Sequence, residues 1–276
     1  MEMKGYRKLS IEELQALQLQ TMKVVHEVCL ENNIKYYIIA GTALGAIRHG
    51  GFIPWDDDID IAMTRDEYDK FKGIFEKCFD KDKYFLQDYD SDIDFRPPLM
   101  RLCIKGTYLD FECERHWKYC KNAYIDIFPL DNVPDEESLR NQQEKNLLKY
   151  KKIISRKLYR IHETNNILAR IAKRFIALYL KTIPLKSLQK KYVKEMKRYN
   201  TVDTSCVCSM ASQYKYSKQT MDRTIYGKPT LVKFEDTEFF GPENIKQYLE
   251  KLYGKNYMEI PPVEKRRKPE TVLIKE

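Results

Sequence analysis

Residues Tyr36 to Met63 read YYIIAGTALGAIRHGGFIPWDDDIDIAM, and the order of residue types along this stretch decides the fold. Tyr36 to Ala40 is β-branched and aromatic, the composition of a buried strand. Gly41-Thr42 breaks it, and Ala43 to His49 reads as a short helix whose N-terminal amides are open to a phosphate. Gly50-Gly51 leads through Pro54 and Trp55 into Asp56, Asp57, Asp58, Ile59, Asp60 and Ile61. Acidic and apolar residues alternate from Asp58 onward. On a strand, Asp58 and Asp60 therefore share one face, about 7 Å apart at Cα, while Ile59 and Ile61 enter the core. Two carboxylates so placed can close on a hard cation, magnesium or manganese, that also binds a polyphosphate. Acidic runs are usually solvated surface. Here isoleucines separate the aspartates and a strand–glycine–helix unit precedes them, which favours a site.

The same device recurs once. Asp126 lies between Ile125 and Ile127 in Ala123–Phe128, a strand that otherwise asks to be buried, and a charge there needs a partner. It is the candidate third carboxylate, with Asp131 as the alternative, although Asp131 before Asn132 and Pro134 suits a turn. Arg101 and Lys105, on a strand-turn-strand read over 99–111, could neutralise phosphate charge or could be solvated strand residues.

The run GTALGAIRHGGFIPWDDDIDIAM resembles the LicD/fukutin-related family. Similar pieces are IKGT at Ile104–Thr107, YIDIFPLD at Tyr124–Asp131, and Leu252-Tyr253-Gly254, Tyr257-Met258, Pro261-Pro262 and Lys265-Arg266 near the C-terminus. The likeness covers both ends of the chain and little of roughly 135–215. It implies an α/β (α+β) nucleotidyltransferase-like fold, a mixed sheet flanked by helices with a basic helical insertion. On that plan 1–135 is the catalytic core, 136–200 the insertion, and 201–276 the part completing the catalytic domain.

The resemblance also implies a phosphotransferase using a CDP-activated donor, most often CDP-choline. The distal phosphoryl group would pass to a hydroxyl of a surface glycan such as a lipopolysaccharide, teichoic acid or capsule precursor, leaving CMP. Asp58, Asp60 and Asp126 would hold one or two Mg2+ (or Mn2+) ions, with Asp57 or Asp126 deprotonating the acceptor. Gly41 and Thr42 would offer amides to the diphosphate, and Arg48, His49, Arg101, Lys105 and Arg266 would supply side-chain donors. Trp55 could stack on the base or simply pack. Two other classes compete: a glycosyltransferase using Asp-X-Asp with a nucleotide-sugar, and a non-catalytic scaffold at a membrane surface.

Composition narrows the setting. With 43% hydrophobic residues the 276-residue chain is globular rather than disordered. The opening MEMKGYRKLSIEEL lacks the apolar core of a signal peptide, which points to the cytosol. Seven cysteines without regular spacing are read as reduced, buried small hydrophobes. A zinc clip from Cys113, His116 and Cys120 with Cys206 and Cys208 is the weaker reading.

Charge is segregated. Residues 140–200 hold 18 Lys and Arg against 3 Asp and Glu, an excess of 15 in a chain whose net charge is +8. Asn166–Pro184, NILARIAKRFIALYLKTIP, sets Arg170, Lys173, Arg174 and Lys181 among large apolar residues. A peripheral helix on the anionic inner face of the plasma membrane and an ordinary helical subdomain with a solvated basic face both fit. A nucleic-acid surface is not expected, because exposed stacking aromatics and glycines are missing from the pattern.

Overall fold

In a computed structural model of the protein, residues 5–110, 119–158, 174–176, 178–180 and 182–276 are described. In chain order the first part carries β1 (Tyr6–Lys8), α1 (Ile11–Glu31), β2 (Tyr37–Ile38), α2 (Ala40–His49), β3 (Asp60–Thr64) and α3 (Arg65–Cys78). Next come β4 (Tyr84–Gln87), β5 (Met100–Ile104), β6 (Thr107–Leu109), β7 (Ala123–Val133), α4 (Glu137–Leu158) and α5 (Leu185–Met196). The last part holds β8 (Cys206–Cys208), α6 (Tyr216–Gln219), β9 (Thr220–Asp222), α7 (Arg223–Tyr226), β10 (Thr230–Phe234), β11 (Thr237–Gly241), α8 (Ile245–Tyr253) and β12 (Val272–Lys275).

The main sheet runs β2-β3-β7-β5-β4, extended through β8 and β9. It is mixed, because β3 and β7 are parallel whereas β2–β3, β7–β5 and β5–β4 are antiparallel. A second sheet, β1-β12-β6, and the hairpin β10–β11 complete the strands. This is the mixed α/β architecture with flanking helices that the sequence implies.

Contacts divide the chain into two compact units, Met1–Asp131 with Cys206–Glu276, and Asn132–Ser205. The core of the first is built on Ile59, Ile61, Ile125 and Ile127, which are fully buried as the alternation around the aspartates requires. The second unit pairs α4 with α5, where Gln143 Nε2 donates to Glu195 O at 3.0 Å and Leu147, Leu188, Tyr192 and Met196 are buried. No described helix is long and apolar enough to cross a membrane.

Local signals fare unequally. The Ser10 capping box forms: Ser10 Oγ accepts from Glu13 N–H at 3.2 Å and Glu13 Oε2 accepts from Ser10 N–H at 2.8 Å. The matching pattern at Thr64 makes no side-chain cap, and α3 begins straight out of β3. The expected strand at 36–40 shrinks to Tyr37–Ile38, and helix α2 starts at Ala40, so Gly41 and Thr42 lie inside its first turn instead of breaking a strand before it. The strand expected from Asp58 begins at Asp60, leaving Asp58 in the preceding loop. The strand at 123–128 continues through Pro129 to Val133. Phe111, Cys113, His116, Arg170, Lys173 and Lys181 fall outside the described residues.

Candidate active site

The site begins at the turn into α2. Ala40 has φ +47°, left-handed backbone that is uncommon without glycine, and its N–H donates to the Tyr248 hydroxyl at 3.1 Å. The first hydrogen bond of the α2 ladder is Ala43 N–H to Ile39 O at 3.0 Å, so the amides of Gly41 and Thr42 are left over from that ladder. Thr42 Oγ1 accepts from Asp60 N–H at 2.8 Å and ties this helix start to β3. A Cβ on Gly41 would meet Asp56 Oδ2 at 2.5 Å, so any side chain there would push the Asp56 carboxylate aside.

Strand register sets the rest. Asp60 of β3 stands opposite Asp126 of β7, which stands opposite Arg101 of β5, giving one polar row across three strands. Arg101 Nε donates to Asp126 Oδ1 at 2.8 Å, and its guanidinium lies 3.8 Å from the Tyr124 ring centroid. Asp56, Asp57 and Asp58 each offer a carboxylate oxygen, all within 4.8 Å of one another. A cavity of about 440 Å³ joins these parts, lined by Gly41, Asp56, Asp58, Asp60, Asp126, Arg101 and Arg267, with Tyr124, Phe128, Tyr214 and Tyr253 among its walls.

The carboxylates are crowded and poorly solvated. Burial, with Asp57 adding repulsion, pushes Asp56 up to about 6. Burial and then Asp56 push Asp58 up to about 8, and burial followed by Asp58 lifts Asp60 well above the ordinary carboxylate range. Burial raises Asp126 as well, against the opposing pull of Arg101. Burial works against the Arg101 charge, but Asp126 outweighs it and holds that guanidinium more basic than usual. Negative charge so exceeds positive that a divalent cation fits the site, and an all-oxygen donor set suits magnesium or manganese. Among the described residues no cysteine joins a group of potential metal ligands.

A family profile described as LicD/FKTN/FKRP, nucleotidyltransferase domain, matches residues 33–155, a span that contains the carboxylates and Arg101. That match takes in 123 of the 276 residues and is what the chain shares with the LicD/FKTN/FKRP proteins. The chain's likeness to the lipopolysaccharide cholinephosphotransferase LicD of Haemophilus influenzae is 26% identity over 266 residues, covering 94% of this chain and 95% of that protein. That alignment runs through the middle of the chain, beyond the two ends where the resemblance was legible. The human ribitol 5-phosphate transferase FKRP is 28% identical over 117 residues, 35% of this chain and 23% of its own. An uncharacterised Rickettsia typhi protein is 49% identical over 74 residues, 26% of this chain and 23% of that protein.

Around this cavity the remaining candidates divide. Arg48 does not line the cavity: its Nη1 donates to the carbonyls of Tyr257 and Glu259 at 3.2 and 3.1 Å, and its Nε to His49 Nε2 at 3.0 Å. His49 lies edge-on to Trp55, and the Arg266 guanidinium covers the Trp55 ring at 4.1 Å while its Nε donates to Pro261 O. These four side chains hold the C-terminal tail. Lys105 Nζ is spent on Lys81 O at 2.5 Å, away from the cavity. Asp131 forms a buried two-pronged pair with Arg65, at 2.8 and 2.6 Å, and is structural. Asp57 turns to a small neighbouring cavity, where Oδ2 accepts from Glu270 N–H at 2.5 Å.

The tail residue that enters the acidic site is Arg267, not Arg266. Its Nη1 lies 3.6 Å from Asp58 Oδ2 and its Nη2 3.9 Å from Asp57 Oδ1. Sequence reasoning also misses Gln15 and Gln18 of α1. Gln15 Nε2 donates to the carbonyls of Ile53 and Asp56 at 3.2 and 2.9 Å, and Gln18 Nε2 donates to those of Asp57 and Tyr124 at 2.8 and 3.3 Å. The available signal was two glutamines three apart on a helix face that is otherwise apolar.

Proposed function

We propose that the chain is a phosphotransferase that moves a phosphocholine-type group from a CDP-linked donor to a hydroxyl of a cell-surface glycan, releasing CMP. The observation that carries this reading is the convergence of Asp56, Asp58, Asp60 and Asp126 with Arg101, Arg267 and the start of α2 on one cavity. The name of the Haemophilus influenzae relative, a lipopolysaccharide cholinephosphotransferase, supports the headgroup and the glycan class.

In the proposed reaction an acceptor hydroxyl oxygen attacks the distal phosphorus of the donor, the phosphoanhydride bond breaks, and the electron pair leaves with CMP. Asp126 receives the acceptor proton, because it lines the cavity whereas Asp57 is turned to Glu270 N–H. The amides of Gly41 and Thr42 hold diphosphate oxygens at the α2 N-terminus. Arg101 keeps Asp126 aimed, and Arg267 places positive charge beside the departing nucleotide. Asp58 and Asp60, with Asp126, would hold Mg2+ or Mn2+, which when bound supplies charge stabilisation to the diphosphate. The aromatic walls Tyr124, Phe128, Tyr214 and Tyr253 suit a quaternary ammonium headgroup.

The test is transfer from CDP-choline, CDP-ethanolamine, CDP-ribitol and CDP-glycerol, with UDP-sugars as controls, in magnesium and in chelator. CMP release with one CDP compound, lost by more than about 100-fold in Asp58→Asn and Asp60→Asn folded like the parent, is the expected result. Preference for a UDP-sugar would replace this reading with a glycosyltransferase, and full activity in either variant would remove those aspartates from the mechanism.

A further inference from the structure

The second unit exposes an apolar stripe that no part of the reaction uses. Residues 174–176 and 178–180 are helical, and Leu180 is buried with its carbonyl accepting from Lys157 Nζ at 2.6 Å. On the opposite side Phe175, Leu178 and Tyr179 are 70%, 65% and 66% exposed. Their spacing of three and four residues is that of one helical face. Single exposed apolar residues are ordinary, but three large ones side by side mark a contact surface.

Charge selects what the surface meets. The stripe belongs to a segment, 140–200, with 18 basic and 3 acidic residues. Lys190, Lys191 and Lys194 are exposed along α5 in the same unit. A second copy of the chain would bring the same excess of positive charge against its own, which opposes self-association. Nucleic acid would answer the charge and leave the apolar stripe in water. An anionic lipid surface answers both, with headgroups for the lysines and an acyl boundary for the three side chains.

We infer that the second unit is a peripheral membrane-docking surface, in which Phe175, Leu178 and Tyr179 enter the headgroup–acyl boundary of an anionic bilayer. The inference stands apart from the proposed reaction, since it concerns other residues and is measured without a donor.

The experiment is co-sedimentation of the full chain with vesicles of phosphatidylcholine alone or mixed with phosphatidylglycerol, alongside size-exclusion chromatography with light scattering. We expect binding to anionic vesicles at least about tenfold tighter than to neutral ones, and weakened by salt. A Phe175→Ser/Leu178→Ser/Tyr179→Ser variant should keep its thermal midpoint, since these side chains are exposed, and bind anionic vesicles at least about tenfold more weakly. Lys190→Glu/Lys194→Glu should weaken binding at low salt and little at high salt. Unchanged vesicle binding in the triple serine variant, or equal binding to neutral vesicles, would overturn the inference. So would a dimer that the serine variant dissociates in a protein that ignores vesicles, for the stripe would then be a self-interface. CDP-donor turnover by the serine variant on a soluble acceptor reads the chemistry separately, so loss of docking and loss of the proposed activity are told apart.

Discussion

At the scale of single residues, the acidic site stores a debt of charge that pH exposes. Asp56 at about 6 and Asp58 at about 8 both lie above the 3.8 of an unperturbed aspartate, so the folded protein binds protons more tightly than the unfolded chain there. The stability these two groups contribute is full below about pH 4 and is lost as pH rises through 6 and 8. In chelator, the thermal midpoint should therefore fall between about pH 5 and 8.5, and Asp58→Asn should flatten that fall. A midpoint that climbs over this range would contradict the crowding of the carboxylates. Arg267→Gln should weaken binding of a CDP compound about tenfold by isothermal calorimetry, with Arg266→Gln close to wild type. The aspartates were readable because their spacing with isoleucine is local. Arg267 was not, because only the three-dimensional path of the tail brings it, rather than its neighbour, to Asp58.

At the scale of elements, the Arg65–Asp131 pair shows how the parallel strands β3 and β7 are kept in register. The Asp131 side chain is 0% exposed and that of Arg65 8%, so removing one partner leaves a buried charge alone. Arg65→Met should cost about 3–5 kcal/mol in urea unfolding, and Arg65→Met with Asp131→Leu should recover most of it. Helix α1 does comparable work through Gln18, whose amide satisfies carbonyls on both the acidic loop and β7. Gln18→Leu should lower stability by about 1–3 kcal/mol and weaken magnesium-dependent nucleotide binding by about 10-fold, read by thermal shift. The strand type of β7 was legible from its alternation of isoleucine and aspartate. Boundaries were not, since Thr64 has the composition of a cap without its geometry and the Ala40 turn depends on the distant Tyr248 hydroxyl. Asp131 looked like a turn residue because Pro134 follows closely, yet its place is fixed by a partner 66 residues away.

At the scale of the whole molecule, charge is segregated along the chain. Residues 140–200 carry the basic excess, and all the lining residues of the acidic cavity lie in Met1–Asp131 and Cys206–Glu276. Composition made the basic segment visible, whereas the exposure of Phe175, Leu178 and Tyr179 within it was legible only in three dimensions. The carboxylate-bearing unit is discontinuous in sequence, and its small sheet is closed by β12 lying between β1 and β6. Arg267 and Glu270, which reach Asp58 and Asp57, are carried just ahead of that strand. During synthesis β1 and β6 must therefore wait, unjoined, until β12 has been made. A nascent polypeptide halted before Arg267 would have its aspartates without their tethered cation.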